Sequence, residues 1–278
     1  TPPVSAPGVS YETLMSPTVG ARVSFHIYLP PDYAANSGRR YPTLYWLHGT
    51  GGGERGIPVI ADLFEKAIRQ GHIPPVIVVF PNGLPEGMWT DSADGLAPVE
   101  SFLVQDLVPH IDATRRTIPS RDARIIEGFS MGGYGAARIG FRHVDLFASI
   151  SMLAAGPLDP DFDGPRAAAN PALRQRILST VFGDDIAIFQ AQSPWAIAAD
   201  MAPTIRAGLL LRQVVGSEDF TIADNRAFHV HLDELEVPHE YRELAGVGHD
   251  ARGLLLGLGE DNWRFYRSAF AGLTLDVG

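Results

Sequence analysis

The sequence has no cysteine in 278 residues. That excludes disulfides, thiolate nucleophiles and cysteine-ligated metal centres. No apolar run approaches the ~18 residues of a membrane span. Basic side chains are in deficit, with 22 Lys and Arg against 32 Asp and Glu, a formal net charge of −10. Nucleic acid and anionic membrane surfaces reward basic patches, so neither is expected as the main partner. Charged residues are only 19% and hydrophobic residues 45%. Such a chain is not of the disordered type and can bury a sizeable core. An initiating methionine is also missing: the chain begins at Thr1, and Thr1 to Gly8 is rich in Pro, Ser and Ala. This opening is expected of a mature exported protein that has lost a signal peptide, although a trimmed cytoplasmic chain would read the same way.

What is present is an alternation of short apolar runs and helical patterns, without internal repeats. Arg22 to Leu29 alternates as an antiparallel strand would. Pro42 to Leu47, Pro75 to Phe80, Ala123 to Phe129, Phe147 to Met152, Leu209 to Val215 and Pro238 to Leu244 read as further strands. Ile60 to Gln70, Glu100 to Thr114, Met131 to Phe141, Ile222 to Leu235 and Gly253 to Ala269 carry helical spacing. Strands alternating with helices imply a mostly parallel sheet covered on both faces, in one domain over residues 1–278. From Gly156 to Pro203 the alternation stops, and Pro157, Pro160, Pro165, Pro171, Pro194 and Pro203 punctuate short helical pieces. An excursion of that size in a compact domain is usually functional, so 156–203 is expected to be a lid or cap.

Gly128-Phe129-Ser130-Met131-Gly132 fits G-x-S-x-G between a strand and a small-residue helix. In that context a serine sits on a tight turn with its hydroxyl exposed, and the N–H of Met131 can donate to a developing oxyanion. Leu47-His48-Gly49-Thr50-Gly51-Gly52-Gly53 follows an earlier strand, where a second oxyanion donor is needed. Thr50 is expected to supply it, with His48 bracing the loop. No Lys-Ser or Lys-Thr follows these glycines, so they are not a Walker phosphate loop. Gly246-Val247-Gly248-His249-Asp250 comes after the last strand. A histidine in that loop satisfies the order Ser…Asp…His, making His249 the expected base. His229 and His231, two apart on a helix, face different sides and make a poor metal pair. The acid belongs after the strand Leu209 to Val215, where Gly216-Ser217-Glu218-Asp219-Phe220 offers two carboxylates. Spacing alone leaves Glu218 and Asp219 open, with Asp224 a distant third.

Together these motifs resemble the putative-esterase family of α/β-hydrolases, and within it carbohydrate esterase family 1. That group holds feruloyl and acetylxylan esterases and S-formylglutathione hydrolase. The resemblance runs from Tyr11 to Phe270 and rests on Leu47-His48-Gly49, Phe80-Pro81-Asn82-Gly83, the Ser130 block, Gly216-x-x-Asp219 and Gly248-His249-Asp250. It implies the α/β-hydrolase fold and, from the aspartate of the family's G-x-x-D loop, Asp219 as the acid. Family mycolyltransferases usually carry another residue in place of Gly132 or Gly133, so the chain looks more like the hydrolase branch. The cysteine of the formylglutathione hydrolases' oxyanion loop is absent, which weakens that reading.

The expected function is hydrolysis of a carboxylic ester through a Ser130–His249–Asp219 triad and an acyl-enzyme, with no metal or organic cofactor. A feruloyl or acetyl carbohydrate ester fits, as would another small-molecule or glycan ester. Trp89 and Asp91, in the long loop Asn82 to Ser92, could meet substrate, or could anchor and brace that loop. Trp195, in the excursion, could close the pocket or belong to the core. The rival functions are acyl transfer with the same triad and a non-catalytic binding module.

Overall fold

The computed structural model describes residues 2–164 and 170–273. Thr1 and Pro165, on which two of the readings above partly rest, lie outside the described residues. Eight strands form one sheet in the order β1-β2-β4-β3-β5-β6-β7-β8. They are β1 (Val9–Ser16), β2 (Ala21–Tyr28), β3 (Thr43–Leu47), β4 (Ile77–Phe80), β5 (Arg124–Phe129), β6 (Ser149–Leu153), β7 (Leu210–Gly216) and β8 (Glu240–Leu244). β1 and β2 pair antiparallel, and β2 runs antiparallel to β4. From β4 to β8 every pairing is parallel. The central strands β3, β4 and β6 are buried along their whole length. Burial along the whole strand follows from being covered on both faces; β4 is apolar throughout, while β6 keeps Ser149 and Ser151 within the buried layer.

Helix α1 (Ile57–Arg69) and the stretches Val99–Ser101, Phe102–Leu107 and Val108–Thr114, together called α2, precede β5. The middle stretch is π-helical, and the register changes close to Pro109, which has no N–H to donate. Helix α3 (Met131–Arg142) follows β5 at once. The excursion contains α4 (Pro171–Phe182), α5 (Ile186–Ala191) and α6 (Pro194–Arg206), and no strand among its described residues. Asn170, Asp185 and Ser193 cap these three helices with their side chains, and Pro171 and Pro194 stand in the first turns of α4 and α6. Helix α7 (Ile222–Glu234) links β7 to β8. The closing helical pattern resolves into α8 (Ala251–Gly257) and α9 (Glu260–Ala269), separated where Gly259 takes φ +54°.

Each face of the sheet has its own core. On one, Phe25, Ile126, Phe141 and Ile150 pack with residues of α2, α3 and the excursion. On the other, Leu44, Val78, Ile125 and Val214 pack with α1, α8 and α9. The second core encloses an ion pair: Glu127 and Arg212 meet at 3.0 Å, 0% and 1% exposed at the side chain. Ser151, Tyr266 and Asn262 complete their hydrogen bonds. Burial pushes the Glu127 carboxyl up, against the pull of Arg212.

Candidate active site

Ser130 stands between β5 and α3 at φ +58°, ψ −121°, a strained conformation for a residue other than glycine. The turn is so tight that a Cβ on Gly128 would lie 2.2 Å from the Gly132 carbonyl oxygen, and one on Gly132 would lie 1.9 Å from that of Leu47. The glycines of G-x-S-x-G are thus required by neighbouring backbone. Ser130 is 5% exposed and lines a cavity of about 580 Å³, counting its open mouth.

The Ser130 hydroxyl lies 2.9 Å from Nε2 of His249. Nδ1 of His249 lies 2.8 and 3.0 Å from the two carboxylate oxygens of Asp219. With Nδ1–H donating to Asp219, Nε2 is left to accept from Ser130. Asp219 also accepts from the N–H and the hydroxyl of Thr221, both at 2.8 Å. Its own burial raises the carboxyl's pKa, but hydrogen bonds from His249 and Thr221 prevail and hold it below its usual value. Glu218, the competing acid, is exposed. The His249 ring sits between Phe129 and Phe220, with centroids 4.5 and 4.3 Å away.

The loop after β3 presses against the serine: a Cβ on Gly49 would lie 3.2 Å from that of Ser130. His48 holds this loop. Its Nδ1–H donates to the Gly49 carbonyl at 2.8 Å, and its Nε2 accepts the Gly83 N–H at 3.1 Å. Burial lowers its pKa. Thr50 lines the cavity beside Ser130. Met131 opens α3, so its N–H has no acceptor within that helix.

The three residues considered for substrate contact have their polar atoms engaged elsewhere, as the anchoring, bracing and core alternatives expect. Trp89 is 0% exposed; its indole N–H donates to the His48 carbonyl at 3.0 Å, and its ring packs under Gly83 and Gly135. Asp91 accepts from the N–H and hydroxyl of Ser101 at 2.9 and 2.5 Å, tying the loop to α2. Trp195 donates to the Leu158 carbonyl at 2.6 Å and packs on Phe228 and His231. Each spends its polar tip on neighbouring chain: Trp89 on the loop after β3, Asp91 on α2 and Trp195 on the start of the excursion.

Residues not considered for substrate contact from sequence line the cavity instead. Met88, Phe162, Leu173, Ile177 and Phe220 give an apolar wall, and Asp159 and Asp224 an acidic one. Asp159 accepts the N–H groups of Asp163 and Gly164 at 2.7 and 3.1 Å. Asp224, set aside as a triad acid, has its pKa pushed up to about 6 by burial and by Asp159 and Asp163. The sequence signal for Phe220 was its place beside Asp219; residues from the excursion had none beyond lying in it. Behind the cavity, Arg138 is fully buried and donates to the carbonyls of Trp89 and Gln192 and to Glu100. Despite its own burial, Glu100 is held down to about 2 by His143, Arg138 and Arg142. This knot joins α2, α3, the Asn82 to Ser92 loop and the excursion.

A parallel-centred eight-stranded sheet with a strained serine turn after its fifth strand is the α/β-hydrolase fold. Solved structures agree: an S-formylglutathione hydrolase from Agrobacterium tumefaciens superposes with TM-score 0.74 at 17% identity, covering 96% of this chain and 98% of that one. A ferulic acid esterase superposes with TM-score 0.70 at 25% identity, over 94% of each chain. The family model described as "Putative esterase" matches residues 16–274, and the chain belongs to that esterase family. An esterase of Mycobacterium tuberculosis is 33% identical over 148 residues, 52% of this chain and 32% of that protein. The endo-1,4-beta-xylanase/feruloyl esterase of Xylanibacter ruminicola is 31% identical over 158 residues, 54% of this chain and 22% of that protein. The match thus spans a third or less of these two curated relatives.

Proposed function

We propose that this protein hydrolyses a carboxylic ester through Ser130, His249 and Asp219. The observation that carries the reading is the unbroken hydrogen-bonded line from Asp219 through His249 to Ser130 in the lining of a cavity. His249 Nε2 takes the hydroxyl proton as Ser130 Oγ attacks the ester carbonyl. Asp219 holds the imidazole in the required tautomer and stabilises its charged form. The oxyanion is met by the N–H groups of Thr50 and Met131, the latter at a helix N-terminus. His249 then protonates the leaving alcohol. Water, activated by the same nitrogen, cleaves the acyl-enzyme and restores Ser130.

In this reading the chain is one catalytic domain, and 156–203 acts as a cap. Its support is that Gly156, Pro157, Asp159, Phe162, Leu173 and Ile177 all border the cavity that Ser130 lines. An apolar wall ending in two carboxylates suits an acyl group that is apolar or carries a hydroxyl. Two similar proteins are named for ferulic or feruloyl esters. Hydroxycinnamoyl and acetyl esters of carbohydrate are therefore the substrates to try first. The test is hydrolysis of p-nitrophenyl acetate, butyrate and octanoate and of methyl ferulate by wild type and Ser130→Ala. Loss of turnover by ~10⁴-fold or more in the variant, with an unchanged melting temperature, is expected. A variant that kept most of its activity would refute the mechanism.

A further inference from the structure

Helix α7 carries a second group of side chains, remote in role from Ser130. His229 and Asp233 are four apart, so they share a face of the helix. His239 comes from the segment that leads into β8. His229 Nδ1 and His239 Nε2 are 2.7 Å apart, and His229 Nε2 is 3.5 Å from Asp233 Oδ2. One donor atom from each of the three side chains lies within 4.8 Å of the other two.

The partners of these rings fix what faces inward. His239 Nδ1 sits 2.8 Å from the Val237 carbonyl, which can only accept, so that nitrogen carries a proton. A neutral His239 therefore aims the Nε2 lone pair at His229. The His229 ring is held flat on Tyr241, with centroids 4.1 Å apart and planes 5° apart. A backbone carbonyl on the outer nitrogen is the arrangement that orients a metal-binding histidine. Nitrogen and oxygen donors in a two-histidine, one-carboxylate set suit ions of the zinc and copper group better than calcium or magnesium.

We propose that His229, Asp233 and His239 form a site for a divalent transition-metal ion, with zinc the reference case. The ion takes the place of the proton shared between His229 Nδ1 and His239 Nε2, and a carboxylate oxygen of Asp233 swings in as third ligand. Zinc–nitrogen bonds of about 2.0–2.1 Å at a tetrahedral angle put two nitrogens ~3.3 Å apart. The rings must open by roughly half an ångström, which partly exposed side chains can do. His231 stays out of the site: its Nε2 faces the Trp195 carbonyl. The neighbouring charges, Arg226 and Glu243, are paired with each other. The bound ion would tie α7 to the entry of β8, the edge strand that leads to the His249 loop.

The test is titration of metal-free protein lacking a histidine tag with Zn²⁺ by calorimetry, and with Co²⁺ by visible absorption. The expected result is one ion per chain, a melting temperature raised by Zn²⁺, and Co²⁺ bands of a low-coordinate site. His239→Ala and Asp233→Asn should each weaken binding by about tenfold or more, while His231→Ala should leave it unchanged. Asp233 is a solvent-facing residue, so its variant remains informative should His239→Ala fold poorly. No saturable binding by wild type, or equal binding by wild type and both ligand variants, would overturn the proposal. Ester hydrolysis plays no part in this readout.

Discussion

Asp224 illustrates what a single carboxyl contributes to this cavity. Its native pKa, about 6, stands above the ordinary 3.8 because burial and the charges of Asp159 and Asp163 disfavour ionisation. The native state therefore binds a proton more readily than the unfolded chain, and stability falls as pH rises from about 4 to 6. At neutral pH the protein carries that loss in full. Asp224→Asn should stabilise the fold at pH 7.5 by on the order of 1 kcal/mol once solvent screening is allowed for, read as a higher melting temperature, and leave it unchanged near pH 4. Thermal scans at the two pH values check this, and an equal shift at both would contradict it. Asp219 has the opposite sign: its carboxyl is held down by His249 and Thr221, so its contribution is present at neutral pH and lost in acid. Asp219→Asn keeps the shape but offers the imidazole the wrong partner. Its kcat should fall by ~10⁴-fold with KM little changed, measured on p-nitrophenyl butyrate.

Among the elements, those that follow a strict pattern were legible from sequence. Five of the strands from β3 to β8 are short apolar runs or alternations, the polar edge strand β8 being the exception, and each of the six falls within two residues of its expected place. β1 was missed because Val9–Ser16 is an edge strand with mostly exposed or half-exposed residues and no clean alternation. What creates it is pairing with β2, a tertiary event. The Ser130 turn was legible for a different reason: backbone crowding forces glycine at both flanking positions, so chemistry and sterics write the same motif. Gly132→Ala would drive a methyl to within 1.9 Å of the Leu47 carbonyl, in the strand that leads to the Thr50 loop. Denaturant unfolding should show a loss of about 3 kcal/mol or more, or no folded protein at all. The roles of Trp89 and Asp91 were not legible. A tryptophan on a site loop looks the same in sequence whether its ring faces a ligand or, as here, sits beneath two glycines as the loop's anchor. The wall of the cavity came from the excursion, whose proline-punctuated pieces show no period that tells lining from core.

Across the whole molecule, the two faces of the sheet divide the work. One face carries the helices of the excursion, the Arg138–Glu100 knot and the walls of the cavity. The other holds the Glu127–Arg212 pair beneath the strands that end at Ser130, the excursion and the Asp219 loop. Arg212 also lies over the Phe265 ring, 4.0 Å from its centroid. Removing one partner strands a buried charge, so Arg212→Met should lose ~3–5 kcal/mol in denaturant unfolding. Adding Glu127→Gln to that variant should recover part of the loss, and a double variant no better than the single one would count against the pair as described. The mechanism itself is tested most directly by covalent capture. A fluorophosphonate is attacked by an activated serine and leaves a stable adduct, read by intact mass and peptide mapping. One adduct per chain is expected, on Ser130 alone, absent in Ser130→Ala and strongly slowed in His249→Ala. An ester-cleaving protein that took no label at Ser130, or took it elsewhere, would contradict the account.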